Sequence, residues 1–202
     1  MVAPSTDASD HDHDRERVFC DTNVLWPVAL VDLTFRLAEI GYHEMLWTED
    51  LLAELTRVLV DYKGLPSANA ERFCSQIRET FPDGEILRSR YEVRITQQVG
   101  PDANDHPHSA AAAAGGATVL LTANVADFPV TDVSPCVARK PDDYYCHVLD
   151  DDPELIELVL EEMQGHLTRR QVTIDDLIDA LERAGCPTFA KRLRTRRSAA
   201  EM

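Results

Sequence analysis

The chain has 202 residues, of which 44% are hydrophobic and 28% are charged, and its formal net charge at pH 7 is −16. Such a composition is typical of a soluble globular protein, and the length allows one well-buried core with a small appendage rather than two full domains. The strong negative charge argues against tight, non-specific binding of nucleic acid, but it leaves local recognition open.

Apolar segments and cysteines exclude other classes of protein. The sequence has no run of about 18 apolar residues and no apolar signal-peptide core, so we expect a cytoplasmic protein without a membrane span. The five cysteines are odd in number and widely scattered. Because no two of them have C-x-x-C spacing, they indicate small buried thiols rather than a zinc site or a redox pair.

The first half of the chain alternates short apolar runs with amphipathic stretches. Residues 18–20 and 45–47 predict buried strands that end at polar positions. Capping residues and apolar periodicity predict helices from about 28 to 40, from 48 to about 62, and from 67 to 81.

Two more strands are predicted further along. Residues 91–95 alternate in polarity and predict a strand with one exposed face, and residues 117–121 predict a buried strand. Between them, Asp105 precedes a helix that has an alanine run and ends at Gly115 and Gly116. Strands that alternate with helices at these lengths predict an α/β fold with a central parallel sheet between two helical layers.

The composition changes in the last quarter of the chain. Residues 153–167 and 173–184 predict two amphipathic helices, and a third short helical piece ends in a basic tail. Polar residues without aliphatic periodicity predict disorder at the N-terminus. We therefore expect a disordered tail, an α/β domain and a small all-α appendage, at residues 1–16, 17–149 and 150–202.

Four acidic residues fall where ligands bind in open α/β sheets, near the carboxyl ends of the strands. Asp21 directly follows the first strand, and Asp127 lies beyond the strand at 117–121. Asp105 is at a helix N-terminus, where the macrodipole stabilises a carboxylate by about 0.3–1 kcal/mol. Glu54 lies at the edge of the apolar stripe of its helix, which turns it toward the protein.

Carboxylates that share a crevice raise one another's pKa unless a cation lies between them. Oxygen ligands without His or Cys suit Mg²⁺ or Mn²⁺, which activate a water and neutralise charge on a phosphodiester. Each acid also has a purely structural interpretation: Asp21 and Asp127 as strand-end or turn residues, Asp105 as a helix cap, and Glu54 as a surface acid. Their matching topological positions together favour a metal site.

Four ordered motifs resemble those of PIN-domain ribonucleases. Residues 18–25 (VFCDTNVL) look like the opening strand of that family, and residues 51–59 (LLAELTRVL) and 102–114 (DANDHPHSAAAAA) resemble its second and third acidic motifs. Residues 120–129 (LLTANVADFP) are similar to its closing Thr-x-Asp/Asn…Asp-Phe-Pro segment. The resemblance covers about residues 17–140, and four motifs in order are more specific than any one alone.

The resemblance implies a PIN-like fold and a Mg²⁺- or Mn²⁺-dependent endoribonuclease that hydrolyses RNA phosphodiester bonds. In bacteria the commonest proteins of this family are VapC-type toxins held inactive by an antitoxin, so the resemblance implies the toxin of a VapBC pair. The helical C-terminal extension also resembles one carried by a subset of those toxins. An RNA substrate and a cognate antitoxin are therefore the expected partners, and a homodimer stays open. Asp21, Glu54 and Asp105 take the three acidic positions of the family.

The remaining positions of the site follow from the same resemblance. Many relatives have Asp where this chain has Asn124, so either Asp127 supplies the fourth charge or Asn124 is a neutral ligand, which leaves the number of ions open. Asp102 is a further acid nearby, ranked behind Asp105 because Asp105 adjoins the helix. The residues implied to support the site by hydrogen bonds are Thr22, Asn23 and Thr122.

A basic tail is the richest source of positive charge. Residues 141–162 contain nine acidic residues and no Lys or Arg, whereas residues 191–197 contain five basic ones. These basic residues either contact RNA phosphates or simply balance the acidic stretch as a solvated helix end. They are Lys191, Arg192, Arg194, Arg196 and Arg197.

Three other functions fit the sequence less well. A haloacid-dehalogenase-like phosphatase also has a strand followed by Asp, but it needs a second Asp where this chain has Asn23. A phospho-receiver domain needs a pair of acids in its first loop and a Lys beyond its last strand, which residues 15–17 and Lys140 match poorly. A PIN fold without catalysis that only binds RNA or a partner is the third, and the presence of all three acids argues against it.

Overall fold

The central sheet has four parallel strands in the order β2-β1-β3-β4. The computed structural model describes residues 15–167 and 172–200. Since all the strands are parallel, their carboxyl ends lie along one edge of the sheet. Their bounds are β1 Glu16–Cys20, β2 His43–Leu46, β3 Val119–Leu121 and β4 Val137–Arg139.

Strand β1 lies at the centre of the sheet. Its Phe19 pairs with Leu46 of β2 on one side and with Leu120 of β3 on the other. Its last three residues are fully buried, as expected for a strand covered on both faces. Since β1 begins at Glu16, the last residue of the segment expected to be disordered is part of the sheet; residues 1–14 of that segment lie outside the described residues.

Helices account for most of the remaining chain. Two of the predicted capping residues are found at helix ends. The Thr48 hydroxyl accepts a hydrogen bond from the backbone N–H of Leu51 at 3.0 Å, and Gly116 ends a helix with a φ of 73°. The bounds are α1 Val28–Glu39, α2 Glu49–Arg57, α3 Ser67–Thr80, α4 Glu92–Ile95, α5 His106–Gly115, α6 Val130–Val133, α7 Pro141–Asp151, α8 Pro153–His166, α9 Ile174–Arg183 and α10 Pro187–Ala200.

Short irregular turns complete the chain trace. A π-helical turn, Val58–Tyr62, extends α2, and 3-10 turns occur at Thr22–Val24, Pro82–Gly84, Arg88–Arg90 and Val125–Asp127.

The fold class predicted from the sequence is confirmed: the molecule is a PIN-like α/β protein with a central parallel sheet and additional C-terminal helices. Among the described helices, none is both long and apolar enough to cross a membrane.

The prediction of a strand over residues 91–95 is wrong. The segment forms α4, and the fourth strand of the sheet is β4. Tyr91 is buried and its hydroxyl donates a hydrogen bond to Asp50 at 2.8 Å, whereas Val93 is 68% exposed. The alternating polarity of residues 91–95 therefore comes from one buried aromatic residue, Tyr91, next to exposed residues of a short helix, and not from a strand with one buried face.

The C-terminal helices share the hydrophobic core of the sheet and its helices. The fully buried Tyr145 of α7 donates a hydrogen bond to the Thr34 hydroxyl of α1 at 2.6 Å, and its ring lies 5.6 Å from that of Phe189 in α10. Helix α7 runs across residues 149 and 150, where the sequence predicts the boundary between the α/β domain and the appendage. The division into two domains stays a prediction. The helices expected at 153–167 and 173–184 are present as α8 and α9.

Candidate active site

Asp21 lies at the carboxyl edge of the sheet and is almost completely buried. Its backbone N–H donates to the carbonyl oxygen of Leu121 at 2.8 Å, which places it beside the end of β3. Its Oδ2 accepts hydrogen bonds from the Thr122 hydroxyl at 2.7 Å and from the side-chain amide of Asn23. Two of the residues predicted to support the site thus contact the first acid directly.

Thr22, the third residue predicted to support the site, and Asn124, the possible neutral ligand, have different environments. The Thr22 hydroxyl is buried and has no hydrogen-bond partner within the described residues. Asn124 is exposed, and its backbone N–H donates to the Thr122 hydroxyl at 3.0 Å. The backbone of Asn124 therefore contacts Thr122, which in turn donates to Asp21.

Asp105 is at the N-cap position of α5, yet its side chain makes no capping hydrogen bond. The purely structural interpretation of this residue as a helix cap therefore does not account for it. Burial raises the pKa of the half-buried Asp105 carboxyl to about 7, and the charges of Asp21, Asp102 and Asp127 add to this, while His108 opposes it. A cation bound beside Asp105 would favour the ionised form of this carboxyl.

His108 lies in the middle of the acids. It is fully buried one turn after Asp105 in α5, with its ring packed against Phe19 of β1 at 6.0 Å between centroids. Its Nδ1 is 3.5 Å from Oδ1 of Asp21, and its Nε2 is 3.4 Å from Oε2 of Glu54. These distances are long for hydrogen bonds, so the attraction is mainly electrostatic.

The acids change the protonation of this imidazole. Burial lowers the pKa of His108, but the carboxylates of Asp21, Glu54 and Asp105 outweigh burial and raise it above the usual value. One ligand atom each from Asp21, Asp105 and His108 lie within 4.8 Å of one another. His108, which the sequence-based set of site residues does not include, therefore lies among the acids.

A local signal for His108 exists in the sequence. Residues three apart in a helix lie on the same face, so a helix that begins after Asp105 also directs His108 toward the crevice. What the sequence does not contain is the position of Glu54, which reaches the same imidazole from α2.

Asp127 and Asp102 lie on two loops that pack together beside Asp105. A Cβ atom on Gly100 would be only 2.6 Å from the carbonyl oxygen of Asp127. Asp132 accepts hydrogen bonds at 2.8 Å from the backbone N–H groups of Val99 and Gly100. Asp127 and Asp102 thus influence the pKa of Asp105 without contributing to the three-residue group of close ligand atoms.

The basic tail forms part of α10, where its arginines pair with acids of α7, α8 and α9. Lys191 is exposed, and within the described residues it forms no salt bridge. These contacts favour the interpretation in which the tail balances the acidic stretch. The pairs are Arg192 with Asp150, Arg194 with Asp179 and Glu182, and Arg196 and Arg197 with Glu157.

The fold and the crevice define a class: a PIN-like α/β protein with an acidic site at the carboxyl edge of its sheet. Residues 141–195 match the family model described as the VapC50 C-terminal domain. This match supports a relation to the VapC toxins, and it covers α7 to α9 and most of α10 without including any of the clustered acids. A comparison with curated proteins gave no match.

Proposed function

We propose that this protein is a metal-dependent endoribonuclease that hydrolyses RNA phosphodiester bonds and is the toxin of a VapBC-type pair. The observation that carries the proposal is the meeting of Asp21, Asp105 and His108 within 4.8 Å, with Glu54 in contact with the same imidazole. The match of the C-terminal helices to the VapC50 C-terminal domain supports the toxin assignment independently.

Asp21 and Asp105 would hold the ion. Two carboxylates in one crevice suit a hard divalent cation, Mg²⁺ or Mn²⁺. Burial, and after it the charge of Asp21, raise the pKa of Asp105, and a cation at this site would favour the ionised carboxylate. Such an ion supplies a water of lowered pKa and neutralises charge on the phosphodiester. We assign the fourth acidic position to Asp127, which is half-buried in its turn, ahead of the exposed Asn124.

The other side chains orient these groups and handle protons. Asn23 and Thr122 hold Oδ2 of Asp21 and leave Oδ1 toward His108. His108 lies between Asp21 and Glu54 and reduces the repulsion between them. The Glu54 side chain is 23% exposed, so its carboxylate can accept a proton from a water at the mouth of the crevice.

Cleavage of total cellular RNA with and without Mg²⁺, followed by mapping of the new ends, tests the activity. Asp105→Asn is the sharpest variant, because a neutral amide resembles the protonated carboxyl and should leave the fold intact. We expect a loss of about 100-fold or more, since an ion supplies several kcal/mol to the transition state. Asp83→Asn, at an exposed acid in the turn Pro82–Gly84, is the matched control; equal activity of the two variants would contradict the proposal.

Metal binding has its own readout in thermal unfolding. A ligand that binds only the folded state at about 100 times its Kd stabilises by about 2.7 kcal/mol, so saturating Mg²⁺ or Mn²⁺ should raise the Tm. The increase should shrink in Asp105→Asn and persist in Asp83→Asn. An unchanged Tm in saturating ion would rule out a metal site at these acids.

The proposed partner is an antitoxin with a basic segment that reaches the acidic crevice. The net charge of −16 would accelerate the encounter with such a segment. Co-purification from the native host should recover a small basic protein. If the chain is harmless when expressed alone and no such partner is recovered, the toxin assignment fails.

A further inference from the structure

A groove of about 350 Å³ opens beside the acids, and its lining includes residues of two kinds. Glu54 and His108 belong to the acidic crevice, whereas Arg57 and Arg88 introduce positive charge immediately next to it. The volume is within the range of small-ligand pockets. A polyanionic substrate that lies in this groove would therefore be close to these two arginines.

The groove-facing side of α2 explains how Arg57 comes to lie there. Asp50, Glu54 and Arg57 follow the spacing of one helical face, and all three line the groove. Arg57 is exposed, and the described residues provide no carboxylate within 4.0 Å of it. A basic residue in the last turn also complements the helix dipole, but that role does not require a groove beside the acids.

Arg88 reaches the groove from a different segment, the turn Arg88–Arg90. Its Nη1 lies 2.5 Å from both oxygens of Asp50, and the Tyr91 hydroxyl donates to the same carboxylate at 2.8 Å. Asp50 therefore holds the guanidinium in place. The side chain is 58% exposed, so its other N–H donors remain directed to solvent.

We infer that Arg57 and Arg88 bind the phosphate backbone of the RNA strand beside the cleaved bond, with Arg57 as the main contact. The inference rests on the proposed ribonuclease function. Guanidinium groups match phosphate geometry, and an acidic crevice in a protein of net charge −16 needs adjacent positive charge to retain a polyanion. The tail arginines are less suitable, because none of them lines this groove. They instead pair with acids of the neighbouring helices.

Steady-state cleavage of a short single-stranded RNA in Mg²⁺ is the first test, with Arg57→Gln, Arg57→Lys and Arg72→Gln compared with the parent. Arg72 is an exposed arginine of α3 and serves as the matched control. We expect Arg57→Gln to raise KM about 10- to 100-fold, the range for a lost charged hydrogen bond, with kcat within about twofold of the parent. Arg57→Lys should restore much of the loss, and Arg72→Gln should match the parent.

The salt dependence of binding gives a second readout. In an Asp105→Asn background, where cleavage is suppressed, Arg57→Gln should lower the slope of log Kd against log salt by about 0.7, the value for one phosphate contact on a single strand. A KM and a salt slope identical to those of Arg72→Gln, while the parent binds and cleaves RNA, would overturn this inference alone. A parent that neither binds nor cleaves RNA would overturn the proposed function and this inference with it.

Discussion

Asp21 illustrates how one buried carboxylate depends on several segments of the chain. An ionised carboxylate out of contact with water is strongly destabilising unless it is hydrogen-bonded or paired. Here Asn23 follows β1, Thr122 follows β3 and His108 comes from α5, and all three contact the same side chain. The Asp21 side chain is therefore held by residues that are close together only in the folded protein.

The pKa of a second histidine, His43, is lowered rather than raised, and this predicts how stability depends on pH. Burial lowers the pKa of His43 to about 4 from its usual value of 6.5, and its Nδ1 lies 3.1 Å from the Tyr144 hydroxyl. Below pH 6.5 the unfolded chain binds a proton that the folded protein does not bind. Stability present above pH 6.5 is therefore lost as the pH falls toward 4, by about 3 kcal/mol at 1.36 kcal/mol per pKa unit.

Urea unfolding at pH 7 and at pH 4.5 measures this loss. His43→Asn keeps an acceptor near the Tyr144 hydroxyl but cannot be protonated, so its stability should fall less over this range than that of the parent. His147→Asn, at an exposed histidine of α7, should follow the parent. Parallel pH profiles for all three proteins would show that His43 does not contribute to acid sensitivity.

At the scale of elements, the loop before α5 packs closely against the turn that carries Asp127. Gly100 allows the loop before α5 to approach the turn Val125–Asp127, since a Cβ would lie 2.6 Å from the backbone oxygen of Asp127. We expect Gly100→Ala to reduce the free energy of unfolding by about 1–3 kcal/mol, because backbone must move to accommodate the methyl group. The same movement should reduce RNA cleavage, because it displaces Asp105 and Asp127 relative to each other.

Gly165 offers a matched control for this substitution. It lies in α8, and a Cβ there would meet no atom within 4 Å. Gly165→Ala should therefore increase stability, by up to about 1 kcal/mol, because alanine loses less backbone entropy in a helix. Urea unfolding of both variants checks the pair, and a stable, fully active Gly100→Ala protein would refute the role of the close approach.

Helix α10 limits how the basic tail can be tested. Leu193 is fully buried, so removal of residues 191–202 would remove core packing together with charge. Single substitutions such as Arg194→Gln change charge at the surface and keep the packing. They separate an effect on RNA binding from an effect on folding.

At the scale of the whole molecule, the α/β part and the C-terminal helices should unfold together. Both contribute to one core, with Tyr145 packed between Thr34 and Phe189. Phe189→Ala should reduce stability by about 3–5 kcal/mol, the usual range for such a truncation. Phe189 is in α10, so a shift in an unfolding signal that comes from the sheet region would demonstrate that the α/β part and the C-terminal helices unfold together.

The two tryptophans provide that signal. Trp47 is buried beside the sheet, and both tryptophans lie within the first 50 residues. Fluorescence of the tryptophans and far-ultraviolet circular dichroism should give coincident transitions in the parent and in Phe189→Ala. A fluorescence transition unaffected by Phe189→Ala would instead indicate that the predicted domains at 17–149 and 150–202 unfold independently.

The sequence by itself determined the fold class and the ends of most helices, because apolar periodicity and capping residues act locally. It also identified three candidate acids by local position: Asp21 at a strand end, Asp105 at a helix N-terminus and Glu54 at the edge of an apolar helix face. Their catalytic roles stay predictions. The sequence did not indicate β4, a strand of three partly exposed residues. It also predicted a strand at residues 91–95, because the alternating polarity of these residues was the only local information.

Only the tertiary structure decided which side chains meet. The contact of His108 with Asp21 and Glu54 joins α5 to the end of β1 and to α2, and the groove joins α2 to the turn that carries Arg88. Such contacts arise from the packing of segments that are distant along the chain, and no local pattern encodes their distances. The same packing raises the pKa of Asp105, because burial and neighbouring charge exist only after the chain has folded.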